Sequence, residues 1–135
     1  MLWVHTGLEN IRDVADVRIM SLHKSKGLSS PVVIIAGCVE GLLPAEPDND
    51  LPPAQRRAEL EEQRRLFFVG LTRVKSTPGE NRPGILVLTS SRTMSVADAM
   101  QSGIRFAGRA YARAFLHASR FIQELGPAAP PTEQG

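Results

Sequence analysis

A chain of 135 residues, 42% hydrophobic and 22% charged, can form one packed domain and is too apolar for wholesale disorder. Its formal net charge of +2 is too small to argue nucleic-acid binding alone. The single cysteine, Cys38, excludes an intrachain disulfide and a cysteine-based metal site. No apolar stretch approaches the roughly 20 residues that span a bilayer, and the polar start MLWVHTGLENIRD does not read as a secretory signal. The expectation is a soluble, cytoplasmic protein with no membrane partner.

In chain order, Leu8 to Val14 can form a short helix. Val17 to Leu22 (VRIMSL) is β-capable and predicts a strand. His23 to Ser30 is polar around Gly27 and predicts a loop or helical turn. Val32 to Ala36 (VVIIA) is a continuous β-branched run, which predicts a strand buried on both faces. Cys38 ends this apolar region and reads as a small buried hydrophobe. The proline-rich stretch from Glu40 to Pro53 predicts a loop.

Ala54 to Lys75 gives the clearest helix. Leu60, Phe67, Leu71 and Val74 share one face, and Glu61 with Arg65 has the spacing of a helical ion pair. The breaker cluster Ser76-Thr77-Pro78-Gly79 predicts its end. Ile85 to Thr89 predicts a third strand. Ser95, with Asp98 three residues on, predicts a helix cap. Ile104 to Leu125 reads as helical, as one helix or two broken near Ser119. Within it Arg105, Arg109, Arg113 and His117 form a basic stripe that suits either solvent or phosphates. Trp3 and the phenylalanines read as core or interface, and His5 and His117 suggest no metal site. The tail from 126 to 135 is Pro-rich and predicts disorder. Apolar strands separated by a long amphipathic helix predict an α/β sheet, and three strands make a narrow one, as in part of a larger unit.

Two segments carry chemistry. RIMSLHKSKGLSSPVVIIAGCVEGLLP, residues 18 to 44, puts a basic loop at the carboxyl end of a strand, where α/β sheets bind ligands. Ser21, His23, Lys24, Ser25 and Lys26 are donors suited to phosphates or sugar hydroxyls, and Gly27 permits close backbone approach. A solvated loop that happens to be basic fits these residues equally. EEQRRLFFVGLTRVK, residues 61 to 75, puts Arg64, Arg65 and Arg73 on one helix. Glu62 and Arg73 lie eleven residues apart and point the same way. A rigidly held Arg73 suits a phosphoryl group; a surface ion-pair helix is the alternative.

The stretch S-L-H-K-S-K-G-L, an apolar strand, and A-G-C-V-E-G-L-L-P resemble motif V and its extension in UvrD/Rep-type superfamily I DNA helicases. E-E-x-R-R-L-F-F-V-G-L-T-R resembles their motif VI, and A-S-R-F-I-Q-E-L resembles the element that closes their second motor domain. The matches run in family order over roughly residues 17 to 125. The resemblance implies an α/β fold that is part of a RecA-like (P-loop NTPase-like) domain, with a short, mainly parallel sheet and flanking helices over residues 1–125.

The resemblance further implies ATP and Mg²⁺ as cofactors, bound mainly by a first RecA-like domain, and single-stranded DNA as a partner. Arg73 matches the arginine finger and is the implied catalytic residue. Lys26, Gly27, Ser29, Glu62 and Arg73 make up the implied nucleotide-binding set. Ser21, His23, Lys24, Gly41 and Leu42 make up the implied DNA-binding set. Arg64 and Arg65 match helix-anchoring positions. The family usually has Gly-Leu-Glu-Phe where this chain has Gly27-Leu28-Ser29-Ser30, which removes a carboxylate that usually helps to hold the nucleotide. Phe68 replaces an aromatic hydroxyl, Val74 replaces an alanine, and the Ser76 to Pro83 loop is longer than usual.

No G-x-x-x-x-G-K-[ST] sequence is present, nor an acidic pair after an apolar strand. The expected role is a helicase fragment without autonomous ATPase activity. A chain that begins just upstream of motif V is expected to leave apolar sheet edges open, which favours a homodimer or partial disorder. Two alternatives stand beside it: a free-standing degenerate module that binds nucleic acid or a partner protein without ATP hydrolysis, and a subunit that donates Arg73 in trans.

Overall fold

The computed structural model describes residues 17–76, 79 and 81–131. The short helix expected at Leu8 to Val14 lies outside them, as do Trp3 and His5. The first element is a 3-10 turn at His23–Ser25. Strand β1 (Val32–Ile35) follows, then the long helix α1 (Pro53–Leu71) and strand β2 (Ile85–Leu88). Next come β3 (Thr93–Ser95), α2 (Val96–Gln101), β4 (Gly108–Ala110), β5 (Arg113–Phe115) and α3 (Arg120–Glu124). Gly126–Ala128 form a final 3-10 turn.

The expected central pair is present. β1 and β2 run parallel, with Val33 opposite Leu86 and Ile35 opposite Leu88. These four side chains face α1, where Ile35, Cys38, Phe67 and Phe121 form the buried core. Leu22, Leu60, Leu71, Leu43, Ile122 and Leu125 pack around it. Phe67 and Phe121 meet with ring centroids 5.4 Å apart, a contact favourable beyond the area it buries. Cys38 is fully buried, as expected, with Sγ 3.5 Å from the Ile35 carbonyl.

Several expectations are corrected. Val17 to Leu22 forms no strand: residues 17–21 have no ladder partner among the described residues, and Val17 is 68% exposed. β-propensity stabilises a strand only when a partner and a buried face are available. β1 is not buried on both faces. Val32, Ile34, Ile85 and Val87 share the face away from α1, and Ile34 is 62% exposed there. The sheet is also not mainly parallel, because β3, β5 and β4 form a separate antiparallel sheet in that order.

Helix α1 starts with Pro53 in its first turn, where proline's missing N–H costs nothing. It ends at Leu71, before the breaker cluster. The Ser30 N–H donates to the Arg73 carbonyl at 3.0 Å, and the Lys75 N–H to the Ser30 carbonyl at 3.0 Å. This pairing draws residues 73–75 out of the helix, so Val74 sits beside Ser30 in a parallel bridge. The ion pairs on α1 are Glu61–Arg64 and Glu62–Arg65, three residues apart rather than the expected Glu61–Arg65.

The span expected as helix from Ile104 to Leu125 instead holds a β-hairpin and, of helix, only the short α3. β4 and β5 pair Ala110 with Arg113 across a two-residue turn, Tyr111-Ala112. Tyr111 takes φ 55° there, a conformation with no place in an α-helix. The cap at Ser95 is as read from the sequence, and Ser119, read only as a break, is a second cap. Ser95 Oγ accepts the Asp98 N–H at 3.0 Å and starts α2. Ser119 Oγ accepts the Phe121 N–H at 3.2 Å and starts α3 at the expected break.

Candidate functional site

The chain reverses twice on the same edge of the core, once after the 3-10 turn and once after α1. These reversals bring the two motif-bearing segments together. In the first, Ser25 Oγ donates to the Leu22 carbonyl at 2.7 Å, and the Lys24 N–H reaches Ser21 Oγ at 3.4 Å. These local bonds satisfy the turn and leave His23, Lys24 and Lys26 exposed. Gly27 then takes φ 85°. A Cβ there would meet nothing within 4 Å, so the turn needs glycine for its backbone angle and looks onto open space.

Arg73 sits one residue beyond the C-cap of α1. Its Nε donates to the Val69 carbonyl at 2.9 Å and its Nη2 to Thr72 Oγ1 at 3.0 Å. Its Nη1 donates to the Leu28 carbonyl at 3.2 Å. The first two bonds are local and hold the guanidinium against its own helix end. The third crosses to the Gly27 loop, so Arg73 is half-buried and turned toward that loop. A guanidinium has five N–H donors, and these contacts engage three of them.

Lys26, Gly27, Ser29 and Arg73 therefore belong to one neighbourhood. Glu62 does not join it. It lies nine positions before the helix ends at Leu71, about 14 Å along the axis, and its carboxylate pairs with Arg65 at 3.4 Å. Shared direction on a helix is not proximity. Among the described residues no group of three or more His, Cys, Asp or Glu side chains could hold a metal ion. An exposed lysine, an open glycine turn and spare guanidinium donors fit the oxygens of a phosphoryl group.

A second loop leaves the core after Cys38. Glu40 accepts a bidentate pair from Arg120, Nε to Oε2 at 3.0 Å and Nη2 to Oε2 at 2.8 Å with Nε also near Oε1, and it accepts the Arg120 N–H as well. Gly41 is buried with φ 87°; a Cβ there would lie 3.2 Å from the Arg105 nitrogen. Leu42, the next residue, is exposed. The expected DNA-binding residues thus divide between two places: Ser21, His23 and Lys24 on the 3-10 turn, and Gly41 and Leu42 on this loop.

One connecting residue was not singled out from the sequence. Gln63 of α1 accepts the Ala45 N–H at Oε1 (2.7 Å) and donates from Nε2 to the Ala45 carbonyl (3.1 Å). This clasp ties the Gly41–Pro44 turn to α1. Its only sequence signal is a neutral amide amid the charges of E-E-Q-R-R. Arg64 plays the anchoring part expected of it. It pairs bidentately with Glu124 of α3, Nε to Oε2 at 2.8 Å and Nη2 to Oε1 at 3.0 Å, and lies 5.7 Å from the centroid of the Phe121 ring. The bond from Arg64 holds the Glu124 carboxyl below the usual glutamate range and pushes the guanidinium further up. Arg65 pairs with the exposed Glu62.

Comparison with known proteins points to one helicase family. The family model of the UvrD-like helicase C-terminal domain matches residues 5–77. ATP-dependent DNA helicase Rep of Buchnera aphidicola is 43% identical over 77 residues, 48% of this chain and 11% of that protein. DNA helicase II of Escherichia coli is 40% identical over 74 residues, 51% of this chain and 10% of that protein. ATP-dependent DNA helicase PcrA of Bacillus subtilis is 41% identical over 59 residues, 44% of this chain and 7% of that protein. The chain thus spans about a tenth of the length of these relatives. No helix among the described residues is long and apolar enough to cross a membrane.

Proposed function

The chain belongs to the UvrD-like helicase C-terminal domain family, and from that premise we propose that it is the motif V and VI portion of a second, RecA-like motor domain in an ATP-dependent DNA helicase. In this reading the ATP and its Mg²⁺ are held mainly by a first motor domain. Lys26, Gly27 and Ser29 approach the nucleotide from across the cleft. Arg73 is the catalytic residue, stabilising charge on the transferring phosphoryl oxygens. Ser21, His23 and Lys24, with the Gly41–Leu42 turn, contact single-stranded DNA. The chain alone is not expected to hydrolyse ATP, and Glu62 holds α1 rather than the nucleotide.

One observation carries the reading: Arg73 is turned onto the Leu28 carbonyl beside an open Gly27 turn, with donors to spare. A guanidinium fixed at the rim of a glycine turn can reach a phosphate delivered from outside without rebuilding the helix end. Protein groups placed where charge develops account for most of the catalysis in phosphoryl transfer. The test is Arg73→Ala in a protein that carries both motor domains. ATP turnover should fall by about 10³-fold or more, while single-strand affinity stays nearly constant. Normal turnover would remove Arg73 from the chemistry. Mixing this chain with a separately produced first motor domain tests donation in trans; restored hydrolysis that Arg73→Ala abolishes would establish it.

A further inference from the structure

The turn that carries Leu42 is closed by its own backbone. The Gly41 N–H donates to the Pro44 carbonyl at 3.0 Å, and the Leu42 and Leu43 N–H groups donate to the Val39 carbonyl at 3.0 and 2.9 Å. Ala45 lies in isolated bridges with both Gly41 and Leu42. The Leu42 side chain leans over Gly37, where a Cβ would come within 2.9 Å of its Cδ2, yet it stays 48% exposed. The turn thus holds a half-bare apolar tip in one orientation.

Two neighbouring residues of α1 brace the flanks of this turn. Gln63 takes the downstream flank directly, through both backbone groups of Ala45. Arg64 serves the upstream flank through α3: it grips Glu124, and Arg120 at the start of the same helix grips Glu40. The chemistry of the direct brace is particular. Ala45 offers one donor and one acceptor, and at this length only a primary amide can answer both; a carboxylate accepts only, and a lysine or arginine donates only. Both bonds lie at the surface. Water can therefore replace them at little cost to the fold, and what their loss removes is the fixed placement of the turn.

We propose that Gln63 is a positioning residue for the single-strand contact: by clasping Ala45 it keeps the Gly41–Leu42 turn in its binding geometry, and so sets DNA affinity without touching the strand. The proposal rests on the reading of Gly41 and Leu42 as DNA-facing. A loop that samples several arrangements binds in proportion to the fraction of time it spends in the competent one, and holding it there beforehand removes the cost of ordering it on contact. Gln63 acts through Leu42, so its effect should disappear once the Leu42 side chain is gone.

The test is a double-mutant cycle on the 135-residue chain, read as affinity for a fluorescein-labelled oligothymidylate by anisotropy at low salt. Gln63→Met keeps the side-chain length and helix propensity but makes neither bond, and should weaken binding about fivefold. Leu42→Ala should weaken it as well. In the Leu42→Ala background Gln63→Met should cost less than about twofold more, a coupling that a general loss of stability would not produce. The Ala45 amide should exchange faster in Gln63→Met, while the Phe67 amide, inside α1, keeps the parent's rate. Additive losses would overturn the proposal, as would parent affinity in Gln63→Met or an unchanged Ala45 exchange rate. If Leu42→Ala weakens binding and Gln63→Met does not, the positioning role alone fails. If Leu42→Ala binds like the parent, or the parent does not bind the oligonucleotide, the DNA-facing reading of the turn falls and the proposal with it. The Arg73 turnover measurement remains an independent test of the motor reading.

Discussion

Replacing Arg73 with alanine should destabilise the chain even without any nucleotide, and the amount follows from its contacts. Of its three side-chain hydrogen bonds, those to Val69 and Thr72 stay within one helix end, where water can replace them. The bond to the Leu28 carbonyl joins α1 to the Gly27 loop across 45 residues of sequence. A bond of that kind contributes about 1 kcal/mol net. Loss of the packed apolar stem adds about 0.5–1 kcal/mol. The sum, about 1.5–2 kcal/mol, corresponds to a fall in Tm of about 5–10 °C for a domain of this size. Arg73→Lys keeps the stem and one donor and should recover about half. Urea denaturation followed by circular dichroism gives the free energy, and an unchanged m-value confirms that the compared states are alike. Amide exchange at Ser30, whose N–H donates to the Arg73 carbonyl, reports the same junction locally. A Tm within about 1 °C of the parent would refute the idea that Arg73 clamps helix to loop. The comparison also separates roles: a turnover defect far larger than this loss of stability belongs to chemistry.

Gly84→Ala should destabilise the fold by about 1–3 kcal/mol, read as a lower urea midpoint, because its Cβ would come within 2.9 Å of the Lys75 carbonyl oxygen and 2.6 Å of Val74 Cγ2; an unchanged midpoint would show that this junction yields freely. The Glu124 carboxyl is held below its ordinary value by Arg64, so its contribution is fully present above the unfolded pKa of about 4.3 and is lost as the pH falls through the lower folded value. The gap in urea midpoint between the parent and Glu124→Gln should therefore close on acidification, and a gap constant from about pH 7 to pH 3 would contradict the pairing. Burial pushes the Cys38 thiol up, so its contribution is complete below the unfolded pKa of about 8.5 and is lost as the pH rises toward the folded value. A thiol reagent should react with it only at the rate of unfolding; fast labelling of the folded chain would show the core to be open there.

Much of the central framework could be read from residue order because its signals were local and agreed with one another. β1 and β2 are short apolar runs, α1 carries Leu60, Phe67 and Leu71 on one face, and Ser95 caps the helix that follows it. The failures share a physical cause: periodicity describes direction, not partnership. Val17 to Leu22 has strand-like residues but no ladder partner among those described. Arginines at 105, 109 and 113 repeat at helical spacing, yet Tyr111 adopts a left-handed angle that no pattern in the sequence announces, and Gly103 and Gly108 were the only warnings of a break. At the site, the approach of Arg73 to the Gly27 loop was legible as two motifs. The exclusion of Glu62 was not, since angular agreement around a helix ignores axial distance. Gln63 was invisible because its partner is main chain, which carries no side-chain signature.

The Gln63 clasp has a mechanical consequence. Ala45 is pinned to α1 at Gln63, and the Gly27 loop to Arg73, ten positions on and just past the helix end. That places the two attachments about 15 Å apart along the axis. A tilt of roughly 13° about the Arg73 end would swing the Ala45 end through about 3.4 Å, comparable to the spacing between successive nucleotides of one strand in a duplex. In the proposed motor, such a tilt would make the helix a lever, with its fulcrum at one loop and its stroke delivered to the other.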